Sequence, residues 1–269
     1  MIADAHVHVG YYNCRKSGSV EYYSPRRVIG VLNRCGTDEF IVSSTSAQAS
    51  PVVGDLITEA EEIKRQAGAR AHIFDWVTWR FFQQDRRLVS CVDGLYEGIK
   101  LHEQEGHWIE HHYEDLLNVL DIAKERHLPV QFHCGPDAYC SPIRLMGIAR
   151  LYPDVRFNFA HCRPMGEMAS VIAQCSNVWT DTAYMALEDF EVLPQYNWRN
   201  RLMFGTDIPV WQGHEEIALT RRYRDYVTAF ARMWPVEDSN DAFRMFLFGT
   251  GRKTATSEAL QINRKDKLK

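Results

Sequence analysis

Eight short apolar runs alternating with longer stretches of helical periodicity constrain this chain more than any other feature. The runs fall at residues 2–8, 40–44, 71–77, 98–102, 129–133, 156–161, 177–181 and 202–206. Each has strand length, and the stretches between them can hold helices. One stretch opens at Ser24-Pro25, an N-cap with proline at the first helical position, and closes near Gly36. Another covers 113–126, with Leu116, Leu117, Val119, Leu120, Ile122 and Ala123 on one stripe, and a third spans 165–174. Strands joined by helices pair in parallel, and eight of them close a barrel that needs about 250 residues. The expectation for these 269 residues is an α/β fold, one (β/α)8 TIM-like barrel domain over 1–269 with a frayed tail near 263–269. An open doubly wound sheet is the alternative, because closure leaves no mark in a sequence.

Composition narrows the function classes. A formal charge of −4 gives no basic face for nucleic acid or anionic lipid. No run approaches the roughly 18 unbroken apolar residues of a membrane span, and the first residues read as a strand rather than a leader. The seven cysteines, Cys14, Cys35, Cys91, Cys134, Cys140, Cys162 and Cys175, lack zinc-ribbon pairing. Without a leader they are expected to stay reduced, which points to the cytoplasm. A small-molecule substrate and a homodimer are the expected partners.

Several strand candidates end in a metal-ligand residue type. The first carries Asp4-Ala5-His6-Val7-His8, and residues two apart on a strand share a face, so His6 and His8 project together while Ala5 and Val7 point outward. Later strands end in Phe132-His133-Cys134, Ala160-His161-Cys162 and Gly205-Thr206-Asp207-Ile208-Pro209. The C-terminal strand ends of a parallel barrel build its active site. A lone histidine of this kind is more often structural than a ligand, but four such ends in succession point to one site.

The ordered set DAHVH, GIKLH, VQFHCG, FNFAHCR and FGTDIP resembles the amidohydrolase superfamily, and within it the amidohydrolase-related branch of short barrel enzymes. The resemblance implies that His6, His8, His133 and Asp207 bind one divalent ion, commonly zinc, with manganese, iron or cobalt compatible with the same donors. It implies that His161 and Asp207 are catalytic, and that a metal-activated water cleaves an ester, lactone or amide. Non-oxidative decarboxylation of an aromatic acid is the first alternative. A metal-dependent nuclease is disfavoured, since no glutamate stands out at a middle strand end. A catalytically silent binding protein of the same fold is the rival from another class, and the complete ligand set argues against it.

Other residues carry two readings each. In some relatives a lysine at the position of Lys100 is carboxylated and bridges two metals; otherwise Lys100 is ion-paired inside the barrel or anchors an anionic substrate. His102 is a substrate contact or a loop histidine. Arg163 meets a substrate carboxylate, or pairs with Glu167 four residues on. Asp181 and Tyr184 reach the pocket or bond the local backbone. Trp76, Trp79 and Trp211 form an aromatic wall or pack. Strand alternation turns Cys134 and Cys162 away from the site. His107, Glu110, His111 and His112 read as a solvated loop or lid.

Overall fold

A computed structural model describes residues 2–14, 19–49, 53–79, 82, 94–210 and 216–249. Among the described residues the strands are β1 (Ile2–Cys14), β2 (Ser19–Tyr23), β3 (Thr37–Ser44), β4 (Ala71–Trp76), β5 (Gly98–His102), β6 (Val130–His133), β7 (Phe157–Phe159), β8 (Val178–Asp181) and β9 (Leu202–Met203). All eight expected strands are present. They pair in parallel in chain order from β1 through β3 to β9, each neighbouring the next. The sheet then closes on itself. Ala5 N–H donates to the Phe204 carbonyl at 2.8 Å, Asp207 N–H to the His6 carbonyl at 2.8 Å, and His8 N–H to the Ile208 carbonyl at 2.7 Å. These bonds join the first strand to the end of the last, so the open sheet is ruled out.

The local signals act as their chemistry dictates. Ser24 caps the Pro25–Cys35 helix by accepting from Arg27 N–H, and Gly36 ends it in the left-handed region at φ 73°. The other two anticipated helices are Tyr113–Glu125 and Met165–Gln174.

Side chains alternate between a jacket and a filling. Ile99, Leu101, Val130, Phe132, Phe157 and Phe159 join the large apolar cluster between sheet and helices. The intervening residues fill the barrel. At its base Ala3, Ala5, Ile41, Phe74, Trp179 and Met203 pack with Ala242, Phe243, Phe246 and Leu247 of the Val236–Phe248 helix, which plugs the bottom. Gly98 is required here, since a Cβ would strike the Phe74 ring at 2.5 Å. One layer up, Lys100, Gln131 and Asn158 stand in register. The polar site lies above them.

One sequence expectation about the strands needs correction. Ala5 packs in the basal plug rather than outward, because the β1–β3 register shifts between Asp4 and Val7, and such an irregularity re-aims side chains. The chain also contains an unanticipated antiparallel hairpin in which β1 runs on past the barrel and pairs with β2 from Gly10–Tyr23 to Cys14–Ser19. Its polar, aromatic residues carry no clean alternation, so no strand signal was visible.

Candidate active site

Three side chains from opposite ends of the chain converge at the mouth. His6 Nε2 and His8 Nε2 are 3.1 Å apart, and Asp207 Oδ1 lies 3.5 Å from the first and 3.0 Å from the second. All three residues are buried. Asp207 sits at φ 61°, an uncommon conformation for a residue other than glycine, and its N–H bond to the His6 carbonyl fixes it there. Asp4 braces the same seam from beneath. Its Oδ1 accepts from His6 N–H at 3.0 Å and Thr206 N–H at 3.1 Å, and its Oδ2 from the Thr206 hydroxyl at 2.7 Å.

The outer ring nitrogens decide which way the inner ones point. His8 Nδ1 lies 3.2 Å from the Ser43 carbonyl and His6 Nδ1 lies 3.2 Å from Asp181 Oδ2. Carbonyl and carboxylate oxygens only accept, so both Nδ1 atoms carry the proton and both Nε2 atoms present lone pairs. Burial drives the His6 pKa well below the usual histidine range, with the Lys100 charge adding to it. Burial also works against the Asp207 carboxylate, and positive charge at the His6, His161 and His8 rings holds that pKa well below the usual carboxylate range, a role that falls to a bound cation when the rings are neutral. Three acceptors thus face one point with no proton of their own between them. A divalent cation fits that donor set, two imidazoles and a carboxylate.

His161 adjoins this group, its ring centroid 4.9 Å from that of His6. It too has a left-handed backbone, φ 76°, and its Nδ1 donates to the Ala183 carbonyl at 3.1 Å, which leaves the lone pair on Nε2. Burial pushes its pKa down to about 4. His133 Nδ1 donates to that Nε2 at 2.9 Å, so His133 joins the cluster through His161. The His133 ring stacks on His102 at 3.9 Å, and His102 stacks on Trp76 at 5.7 Å. The Trp76 ring in turn contacts His8, closing a circuit of aromatic side chains around the mouth.

Lys100 lies inside that circuit. Its Nζ donates to His6 Nε2 at 3.2 Å and sits 5.7 Å from the Trp76 ring centre, and burial lowers its pKa to about 8. Among the described residues it makes no ion pair with a carboxylate.

The pairing of Arg163 with Glu167 does not form. The helix starts at Met165, so Arg163 lies outside it in extended conformation and the helical spacing never applies. Glu167 accepts instead from the Ser141 hydroxyl. The Arg163 guanidinium lies over the Tyr184 ring at 5.2 Å, with its Nε buried and unpartnered. Its charge also contributes to the lowered pKa values of His133 and His161.

Cys134 and Cys162 face the apolar cluster, as strand alternation requires. Among the described residues, His107, Glu110, His111 and His112 do not assemble a metal-capable group. Trp79 stacks on His112 at 4.5 Å. Trp211 lies outside the described residues.

A family model described as Amidohydrolase matches residues 3–228. The chain belongs to the amidohydrolase family. No curated protein matches it. Among solved structures, the chain is similar to a probable 2-pyrone-4,6-dicarboxylic acid hydrolase from Acinetobacter baumannii with citric acid bound, at TM-score 0.54 and 14% identity, covering 92% of each chain. It is also similar to an amidohydrolase 2 from Bifidobacterium longum subsp. infantis, at TM-score 0.59 and 12% identity over 91% of this chain and 98% of that one. A dihydroxybenzoic acid decarboxylase from Polaromonas with bound manganese matches at TM-score 0.53 and 11% identity over 91% and 98%. At such identities the likeness shows a shared fold. Within this amidohydrolase, the residue that sequence reasoning undervalued is Asp181. Its signal was present, an acidic residue closing a buried strand run like the ligand-bearing ends.

Proposed function

We propose that this amidohydrolase is a metal-dependent hydrolase that cleaves an ester, lactone or amide bond of a small molecule. The observation that carries the reading is the convergence of His6 Nε2, His8 Nε2 and Asp207 Oδ1 with both histidine Nδ1 atoms tied to acceptors. In this reading His6, His8, His133 and Asp207 hold one divalent ion, with zinc best suited to the donors. Such an ion supplies Lewis acidity and lowers the pKa of a water to about 7. Asp207, ionised at neutral pH, takes the proton of the attacking water and returns it to the leaving group. His133 would give up its Nδ1–H bond to His161 on turning to the ion, and the freed Nε2 lone pair of neutral His161 would accept a hydrogen bond from that water and orient it. Lys100 keeps a cationic donor beside the site.

The unpartnered Arg163 Nε supports a substrate with an anionic group, and His102 and Trp211 are its other proposed contacts. Arg163→Ala is expected to raise KM by about 10–100-fold with kcat little changed, the worth of a hydrogen bond to a charged group. Steady-state kinetics check it, and an unchanged KM would remove Arg163 from the substrate site.

A second reading is decarboxylation of an aromatic acid. The Trp76, His102 and His133 rings support it, because their stack surrounds the mouth with aromatic side chains suited to contact an aromatic ring. The deciding experiment is a panel of lactones, esters, amides and aromatic acids assayed after loading with Zn2+ or Mn2+. Hydrolysis products support the first reading, and carbon dioxide release without water-dependent products reverses the order. The described cysteines Cys35, Cys134, Cys140, Cys162 and Cys175 are free thiols, which supports a cytoplasmic setting for the enzyme.

A further inference from the structure

Asp181 ends β8 fully buried, and its two oxygens accept four hydrogen bonds. Oδ2 takes Asn158 Nδ2 at 2.7 Å and His6 Nδ1 at 3.2 Å. Oδ1 takes the backbone N–H of His161 and of Ala183, each at 3.0 Å. Four donors saturate the lone pairs of a carboxylate, which lets it sit among apolar strands without water. Gly205 permits this placement, since a Cβ there would meet Asp181 Cβ at 3.0 Å.

The two oxygens serve different histidines. Through Oδ2 the carboxylate holds the proton of His6 on Nδ1, and the Nε2 lone pair faces Asp207 and His8 and accepts from Lys100 Nζ. Through Oδ1 it holds the left-handed backbone of His161 and the turn at Ala183. The Ala183 carbonyl then receives His161 Nδ1. One side chain therefore contacts the His6 ring directly and holds the backbone that presents the Ala183 carbonyl to the His161 ring.

We infer that Asp181 is a positioning residue that fixes the tautomer of His6, and with it the cation affinity of the site, while holding His161 in its active conformation. The inference rests on the reading of His6 as a cation ligand. Partners of this kind are worth 10–100-fold in metal affinity where they have been removed.

Asp181→Asn separates the two roles. The amide oxygen can still accept from the His161 and Ala183 N–H groups, whereas the amide nitrogen now faces His6. Asn158 can accommodate it, because Asn158 Oδ1 is buried without a partner and a flip of its amide turns that oxygen toward the new donor. The prediction is that His6 in metal-free D181N carries its proton on Nε2 and that Zn2+ affinity falls about 10–100-fold, with the His161 tautomer unchanged.

Nitrogen-15 NMR of the histidine rings and competition titration with Zn2+ on the full chain read these effects. A His6 tautomer unaltered in D181N, or a Zn2+ Kd within about twofold of wild type, overturns the inference. If wild type takes up no Zn2+ yet D181N moves the His6 proton, the cation reading fails and the positioning role stands. Should D181N not fold, wild type alone decides, since metal-free His6 protonated on Nε2 contradicts the inference.

Discussion

Replacing His6 and His8 together with alanine is expected to take bound metal from about one equivalent per chain to none, and activity down on the order of 10³-fold or more. The two Nε2 atoms are the inner donors of the site, and the Asp207 carboxylate with the single His133 imidazole is too small a donor set to retain a divalent ion at micromolar concentration. The fold should persist. Neither imidazole belongs to the apolar clusters, and the seam between first and last strands is held by backbone bonds and by Asp4. Elemental analysis with an activity assay on the same sample checks the prediction, and full metal occupancy in the double variant would refute the ligand assignment.

His161→Ala should behave differently. Metal content should be retained while kcat falls by about 10²–10⁴-fold, the range for loss of a positioned acid–base group. The pH profile adds a second readout. Burial pushes the His161 pKa down to about 4, so the ring is neutral above that value and gains its proton only as pH falls through it. The acid limb that this group imposes on kcat/KM therefore lies near pH 4 and not near the ordinary histidine value of about 6.5. A limb centred near 6.5 that disappears in His161→Ala would contradict the buried, neutral ring.

Much of this was legible before any coordinates, for reasons that differ by element. The eight strands were readable because a strand with both faces covered must be apolar, and the helix at Pro25–Cys35 because Ser24, Pro25 and Gly36 each have a single dominant local use. The approach of His6 and His8 to Asp207 was inferable once a parallel barrel was granted, since the first and last strands of a closed sheet are neighbours. The β1–β2 hairpin was not, because Tyr11, Tyr12, Tyr22 and Tyr23 fit loop and strand alike. Nor was the inward turn of Ala5, which depends on a register shift that no alternation rule anticipates. The partners of the outer ring nitrogens were also hidden. Ser43 contributes a backbone carbonyl, which any residue type would supply, with its hydroxyl alongside, and Asp181 announced only that a carboxylate closed a buried strand. Arg163 shows the limit of spacing arguments, because an i,i+4 rule holds only where both residues are helical.

The most direct test is anomalous diffraction from crystals grown with Zn2+ or Mn2+. A single strong peak within about 2.0–2.2 Å of His6 Nε2, His8 Nε2 and an Asp207 carboxylate oxygen is the predicted result. A peak elsewhere in the barrel, or none at this mouth with the ion in excess, would contradict the account.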